Sequence, residues 1–263
     1  MSATADDFPR TRAVAARLQV LAHAGSTNAE LAQRASAAPG DYPHLSVVLT
    51  DDQRAGRGRL DRTWTAPAGA GLAISVLADV AAVPAADRGW IPLIAGLAMT
   101  EAVAEQLAGR DVTLKWPNDV LVEGGKICGI LAEVLSPDVV IIGAGVNTAM
   151  TAAQLPVPTA SSFALAGAAA DADRLVAGFL ERLDARLSAL AGGAKASVVT
   201  AVTVRCGTIG RDVTVSLPGS GGPGEPGPVL RGHATGLDAD GRLVVDVDGH
   251  PHAVSAGDVV HVR

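Results

Sequence analysis

Aromatic residues are scarce in this chain. Three Trp, three Phe and one Tyr make up 3% of its 263 residues, so the core has to be built mainly from Val, Leu, Ile and Ala. Cysteine is scarcer still: Cys128 and Cys206 are far apart and make no disulfide framework, which fits a reducing compartment and leaves both as small core residues. There is no basic excess either. With 21 Lys and Arg against 27 Asp and Glu, the formal charge of −6 argues against a general binder of nucleic acid or membrane surfaces. Apolar stretches are broken by Pro, Asp or Glu, as in Val134-Leu135-Ser136-Pro137-Asp138, so none is long enough to span a bilayer. Met1 to Pro9 carry Asp6 and Asp7 and lack the apolar centre of a secretory signal. The expectation is a soluble, cytoplasmic protein with no membrane partner.

Several familiar signatures are missing too. Gly125-Lys126 is followed by Ile127 rather than Ser or Thr, so it is not a phosphate loop of the Walker type. Gly143-Ala144-Gly145 lacks the third glycine of a dinucleotide site, because position 148 is Thr148. The six histidines are scattered, no Cys-x-x-Cys occurs, and His250-Pro251-His252 reads as a turn rather than a zinc site. No internal repeat is present.

What is there suits one large domain plus a small one. Residues 9 to 20 read as a short helix, and Thr27 with Glu30 has the spacing of a capping box for a second. Strands are expected at residues 45–49, 72–77, 112–115, 119–122, 126–135 and 139–146, with a hairpin-like turn at Gly124-Gly125. Apolar periodicity predicts helices over residues 90–107 and 171–190, the second closed by Gly192-Gly193. From about residue 207 the texture changes to short β segments: 213–217, 229–237, 242–247, 251–255 and 259–262. These read as a small β-barrel, with the glycine- and proline-rich stretch 218–228 as a flexible loop within it. The fold class is α+β, with domains expected at 1–204 and 205–263.

Two polar segments stand out. Gln53-Arg54-Ala55-Gly56-Arg57-Gly58-Arg59-Leu60-Asp61-Arg62-Thr63-Trp64 puts four arginines around two glycines just beyond a strand. Glycines let a backbone approach an anion and arginine forks bind phosphate oxygens in pairs, yet alone such a loop is more often a solvated surface loop. Lys115-Trp116-Pro117-Asn118-Asp119 lies between two strands and is followed by Gly125-Lys126-Ile127-Cys128-Gly129-Ile130-Leu131. Pro117-Asn118-Asp119 is equally readable as a turn or as part of a site for a nucleotide and its magnesium.

Taken together and in order, these segments resemble the biotin protein ligases. The family's marks are a Gly-Arg-Gly-Arg loop ending in Trp, Lys-Trp-Pro-Asn-Asp, and a Gly-Lys/Gly-Ile-Leu strand. Ser26-Thr27-Asn28 and Gly143-Ala144-Gly145-Val146-Asn147 match two further elements, so the likeness covers essentially the whole chain. It implies a mixed β-sheet flanked by helices, the class II synthetase-like biotinyl/lipoyl transferase fold, with a C-terminal SH3-like β-barrel. It also implies two-step chemistry: biotin is activated by Mg-ATP as biotinyl-adenylate, then transferred to a lysine of the biotin carboxyl carrier domain of acyl-CoA carboxylase.

Carried over residue by residue, the resemblance makes Ser26, Thr27, Asn28 and Gln53 polar contacts to biotin. Arg57, Gly58 and Arg59 would bind the biotin carboxylate and the α-phosphate, and Trp64 would enclose the adenine. Lys126 would bridge carboxylate and phosphate, making it with Arg59 the catalytic pair. Asp119 is implied as the magnesium ligand and Asn118 as an orienter of phosphate. Asn147 falls on the nucleotide side, and Lys115 is read either as structural or as a phosphate contact. After Arg59 many relatives have a basic or polar residue and a glycine; here Leu60-Asp61 stands instead, which bears on loop closure. Only about two dozen residues precede Ser26, so no DNA-binding module and no DNA partner is expected, and the resemblance allows a monomer or a weak homodimer. The rivals are a lipoate ligase, which shares fold and chemistry, and a non-catalytic biotin sensor, which would need no phosphate clamp.

Overall fold

The structure, a computed structural model, describes residues 3–60, 62–218, 226–255 and 257–262. In chain order its elements are α1 (Pro9–Val14), β1 (Arg17–Val20), α2 (Thr27–Ala37), β2 (Ser46–Thr50), β3 (Gly56–Arg57), β4 (Thr63–Trp64) and β5 (Gly71–Asp79). There follow α3 (Ile91–Gln106), β6 (Val112–Lys115), β7 (Asp119–Val122), β8 (Gly125–Ser136), β9 (Val139–Asn147), α4 (Ala172–Ala191) and α5 (Lys195–Arg205). The last part is β10 (Asp212–Pro218), β11 (Pro226–Leu237), β12 (Leu243–Val247), β13 (His250–Val254) and β14 (Asp258–His261).

Seven strands form one mixed sheet in the order β1-β2-β5-β9-β8-β7-β6, with β1 and β2 parallel and every other pair antiparallel. Side chains alternate between its faces. Along β5, Leu72, Ile74, Val76 and Ala78 join the large core, while Leu77 packs with Leu31 and Ala35 of α2 on the other face. On the large-core face lies α3, in which every residue from Ile91 to Val103 except Pro92 and Glu101 is buried. A helix apolar all round has no solvent face to keep, so α4 and α5 cover it from outside. The opposite face is left partly open beyond α2, and the candidate site occupies that space.

Where the chain differs from the sequence reading, the differences are local. The first helix stops at Val14, and Arg17–Val20 is an edge strand paired in parallel with Ser46–Leu49; four half-buried residues are too few for alternation to show in sequence. Ser26 rather than Thr27 is the N-cap of α2, its hydroxyl accepting from the Ala29 N–H at 3.5 Å, and Glu30 pairs with Arg34 instead of closing a capping box. Helix α5 had no counterpart in the sequence reading. Glu123 and Gly124, at φ 50° and 78°, make the two-residue turn between β7 and β8, and Asp248 and Gly249, at 52° and 83°, make the one between β12 and β13. His250-Pro251-His252 is therefore not a turn; it opens β13. Of the stretch 218–228, Pro218 ends β10 and 226–228 begin β11, while 219–225 lie outside the described residues, as does Asp61.

The C-terminal five strands form an antiparallel sheet in the order β13-β12-β11-β10-β14. Two buried indoles tie it to the rest of the molecule. Trp90 Nε1 donates to the Ala239 carbonyl and Trp116 Nε1 to that of Gly241, each at 3.0 Å. Because Trp116 belongs to the Lys-Trp-Pro-Asn-Asp segment, this tie fixes β14 relative to the open face of the large sheet.

At the other end, the N-terminus of α1 has no cap of its own. Asp173 of α4 supplies one: its carboxylate accepts from the main-chain N–H of Arg10 at 3.0 Å and from the N–H and hydroxyl of Thr11 at 2.8 and 2.9 Å. Asp173→Ala leaves the buried Thr11 N–H without its partner, though the Thr11 hydroxyl keeps the carbonyl of residue 173 at 3.2 Å, and is expected to lower stability by about 1–3 kcal/mol. Urea unfolding measures this, and a loss under 0.5 kcal/mol, on the order of an ordinary surface change, would contradict it.

Candidate active site

The floor of the open face is paved by glycine. On β9 and β8, Gly143, Gly145 and Gly129 point the way Leu77 does on β5. A Cβ on Gly145 would lie 2.6 Å from the Trp64 indole, and one on Gly143 would run into the Asn28 carboxamide. Their absence lets both side chains lie against the sheet. A Cβ on Gly129 would come within 3.1 Å of Lys126 Nζ, so the ammonium also rests on bare backbone. Above this floor is a cavity of about 960 Å³ including its open mouth.

One end of the cavity is polar without being cationic. The start of α2 brings Ser26, Thr27 and Asn28 to it, and Gln53 reaches it from the segment after β2. The Thr27 N–H donates to Gln53 Oε1 at 2.8 Å, and Ser75 of β5 contacts both Thr27 and Asn28 from below.

The other end is cationic. Pairing of Gly56 with Trp64 and of Arg57 with Thr63 makes the arginine loop a short ribbon, with Gly58 N–H donating to the Arg62 carbonyl across its neck at 2.6 Å. Each arginine of the ribbon has its own partner: Arg57 meets Glu133 at 3.0 Å, Arg59 donates to Asn118 Oδ1 at 3.2 Å, and Arg62 forks onto both oxygens of Asp258 at 3.2 and 2.7 Å. Burial pushes the Arg59 guanidinium's pKa below its usual value, whereas the Arg62 hydrogen bonds draw the Asp258 carboxyl below the ordinary carboxylate range. Lys126 Nζ lies 2.6 Å from Asp119 Oδ1. The cavity is lined by Arg57, Arg59, Arg62, Lys115 and Lys126 against Asp119 and Asp258, an excess of positive charge that suits an anion.

Of the residues singled out in sequence, Ser26, Thr27, Asn28, Gln53, Arg57 and Gly58 line this one cavity, together with Arg59, Trp64, Lys115, Asn118, Asp119 and Lys126. Asn147 does not. It is buried behind the wall, and its amide donates to the carbonyls of Ser161 at 2.8 Å and Lys126 at 3.4 Å, which steadies the start of β8. Leu60, with φ 54°, stands half exposed at the loop tip.

Behind the cavity, the Trp116 N–H donates to Thr208 Oγ1 at 3.0 Å, and that hydroxyl lies 3.1 Å from His261 Nε2 on β14. Burial, helped by the nearby charges of Lys115 and Arg211, pushes His261 down to about 4. A folded-state pKa below the unfolded value near 6.5 means the unfolded chain takes up the proton first, so stability is constant above about pH 6.5 and falls as pH drops toward 4. After allowance for solvent screening the loss is about 1–2 kcal/mol. His261→Gln should remove this component from a plot of urea midpoint against pH; an unchanged slope between pH 6.5 and 4 would refute it.

Comparison with known proteins agrees with this geometry. Residues 27–147 match the Biotin/lipoate A/B protein ligase family and residues 222–262 the Biotin protein ligase C terminal domain. The biotin--[acetyl-CoA-carboxylase] ligase of Mycobacterium tuberculosis is 41% identical over 249 residues, 94% of this chain and 90% of its own. This chain belongs to the biotin protein ligase family. The bifunctional ligase/repressor BirA of Escherichia coli is 30% identical, over 85% of this chain and 67% of its own. Among solved structures, the biotin protein ligase from Aquifex aeolicus in complex with biotin and ATP superimposes with a TM-score of 0.76 at 23% identity, covering 94% of this chain and 99% of the other.

This biotin protein ligase family member has site residues that the sequence reading passed over. Ser75 and Glu133 lie inside strands, and only Glu133, a charge in an otherwise apolar run, carried any signal. Asp258 comes from the far end of the chain and nothing local marks it. Cys128 and Cys206 are buried as expected, and burial pushes both thiols' pKa values up. Among the described residues no helix is long and apolar enough to cross a membrane.

Proposed function

We propose that this protein is an ATP-dependent biotin--[biotin carboxyl-carrier protein] ligase, acting in the cytoplasm on the carrier domain of an acyl-CoA carboxylase. The observation that carries this reading is a single cavity lined at once by the uncharged hydrogen-bonding groups of Thr27 and Gln53 and by the cations Arg57, Arg59 and Lys126. Biotin is a neutral ureido ring joined to a carboxylate, and it needs both kinds of group.

In this reading Ser26, Thr27, Asn28 and Gln53 hold the ring, while Arg57, Gly58 and Arg59 gather the carboxylate and the α-phosphate of ATP. Two anions must be brought together before the carboxylate oxygen can attack phosphorus, so positive charge between them removes the largest part of the barrier. Lys126 supplies it, and Arg59 stabilises charge that builds on the phosphoryl oxygens in the transition state. Trp64 covers the adenine, Asn118 orients phosphate, and Lys115 adds positive charge behind it. The products of this step are biotinyl-adenylate and pyrophosphate. The carrier lysine's amine then attacks the mixed anhydride, releasing AMP and leaving an amide. The ribbon, latched by Arg62 to Asp258, shields the anhydride from water meanwhile.

Asp119 fits a magnesium ion. Its Oδ1 lies 2.6 Å from the Lys126 ammonium, and its other oxygen has no protein donor among the described residues, so an acceptor is left over for a cation. A single carboxylate with substrate phosphates is a usual magnesium donor set. When bound, the ion would offset charge on the departing pyrophosphate. On the domain level, we assign residues 1–204 to catalysis and 205–263 to a C-terminal domain that contributes Asp258.

Incubation with biotin, Mg-ATP and a carboxylase carrier domain, followed by mass spectrometry of the carrier, tests the reading. A biotin-sized gain that needs ATP and persists under excess lipoate is expected. No gain despite tight biotin binding would leave a sensor, and a gain lost to lipoate competition would leave a lipoate ligase.

A further inference from the structure

A hydrogen-bonded chain runs beneath the polar end of the cavity, from Glu133 on β8 to Gln53. Glu133 accepts from Asn28 Nδ2 at 2.6 Å and pairs with Arg57 at 3.0 Å. Asn28 Oδ1 lies 2.5 Å from the Ser75 hydroxyl, which in turn lies 2.8 Å from Thr27 Oγ1. Ser75, Thr27 and Asn28 are all buried, so these groups depend on one another for their hydrogen bonds.

The carboxylate sets the direction of every proton in this chain. It can only accept, so the Asn28 amide must turn its NH2 toward Glu133, where the Leu131 carbonyl at 3.4 Å is a second acceptor. The Asn28 oxygen then faces Ser75 and takes that hydroxyl's one proton. Ser75 oxygen, its proton committed, is left to accept from Thr27. The reverse arrangement, with Thr27 donating to Gln53 Oε1 at 3.1 Å, would leave one of the two shorter oxygen–oxygen contacts buried without a proton. Gln53 Oε1 does not need that proton, because the Thr27 main-chain N–H already serves it. Thr27 Oγ1 therefore meets the cavity with lone pairs only.

We infer that Glu133 is a specificity-determining positioning residue, which acts through Asn28 and Ser75 to fix the Thr27 hydroxyl as an acceptor for an N–H of the ligand's ring. A ureido ring offers such a donor, while a dithiolane ring does not, and an unmatched acceptor in a buried wall is costly. The same carboxylate holds Arg57 beside the cavity, joining the polar end to the cationic one. This role rests on the biotin reading above.

Calorimetric titration with biotin tests it in four proteins: native, Glu133→Gln, Ser75→Ala and the double variant. A glutamine at 133 can offer its own NH2 to the Asn28 oxygen, which turns the amide over and frees the chain to reverse. Each single variant is expected to weaken biotin binding about tenfold, with the double variant no worse than the weaker single, because both break one relay. In Ser75→Ala, which leaves the Glu133–Arg57 pair in place, the KM for ATP at saturating biotin should stay within about twofold, which a general loosening of the site would not allow. A biotin Kd within about twofold of native in either single variant, or losses that multiply in the double, would overturn the relay. Absence of biotin binding by the native protein would overturn the proposed function and this inference with it, an outcome distinct from any confined to the variants.

Discussion

Lys126→Ala is expected to lower the rate of biotinyl-adenylate formation by about 10³-fold, equivalent to about 4 kcal/mol of transition-state stabilisation, while biotin binding weakens by less than about tenfold. The separation of the two effects follows from how the residue is held. Its main chain is pinned independently of its side chain: the N–H donates to the Thr159 carbonyl at 2.8 Å, and the carbonyl accepts from Ser161 at 2.7 Å. The strand therefore survives the loss of the side chain. What disappears is the ammonium lying over Gly129, a charge needed only when carboxylate and phosphate approach each other. Lys126→Arg is not expected to restore the rate, because a planar fork cannot occupy the space of a compact ammonium against bare backbone. Pyrophosphate release under single-turnover conditions, with biotin affinity measured separately, gives both numbers. Equal losses in binding and rate would mean that Lys126 serves biotin affinity alone.

The segments that hold this site were legible in sequence through their joint likeness to one family, since the arginine loop and Pro117-Asn118-Asp119 each stayed open when read alone. Arg57 and Arg59 lie within one short stretch, whereas Gly143 and Gly145 are required by Asn28 and Trp64, which come from distant parts of the chain. The long apolar elements α3 and β5 were placed correctly, because sustained runs of buried residues show in sequence. Non-local pairing accounts for the rest. β1 is a strand only because β2 lies beside it, and Asp258 matters only because the C-terminal sheet docks through Trp90 and Trp116. Asn147 shows the converse: it stands inside a recognisable stretch, yet its amide serves two main-chain carbonyls behind the wall. Position within a motif did not determine whether a side chain faced the cavity.

Asp119→Asn is expected to slow adenylate formation by about 10²-fold at low magnesium and to recover part of that loss as magnesium is raised. Two partners would explain the carboxylate: the Lys126 ammonium 2.6 Å from its Oδ1, and a magnesium ion taken by the acceptor left over. Asparagine keeps an oxygen of similar position, so a role limited to orienting Lys126 would leave most of the rate intact and independent of magnesium. A role as ligand would not, since a neutral amide oxygen is a poorer donor to a hard dication than a carboxylate. The sign of the electrostatics sharpens the distinction. Removing a negative charge from a cavity already rich in Arg and Lys should, on charge alone, help two anions to bind. A slower reaction with tighter or unchanged biotin binding therefore points to the metal, whereas a magnesium-independent rate close to native returns Asp119 to a positioning role for Lys126.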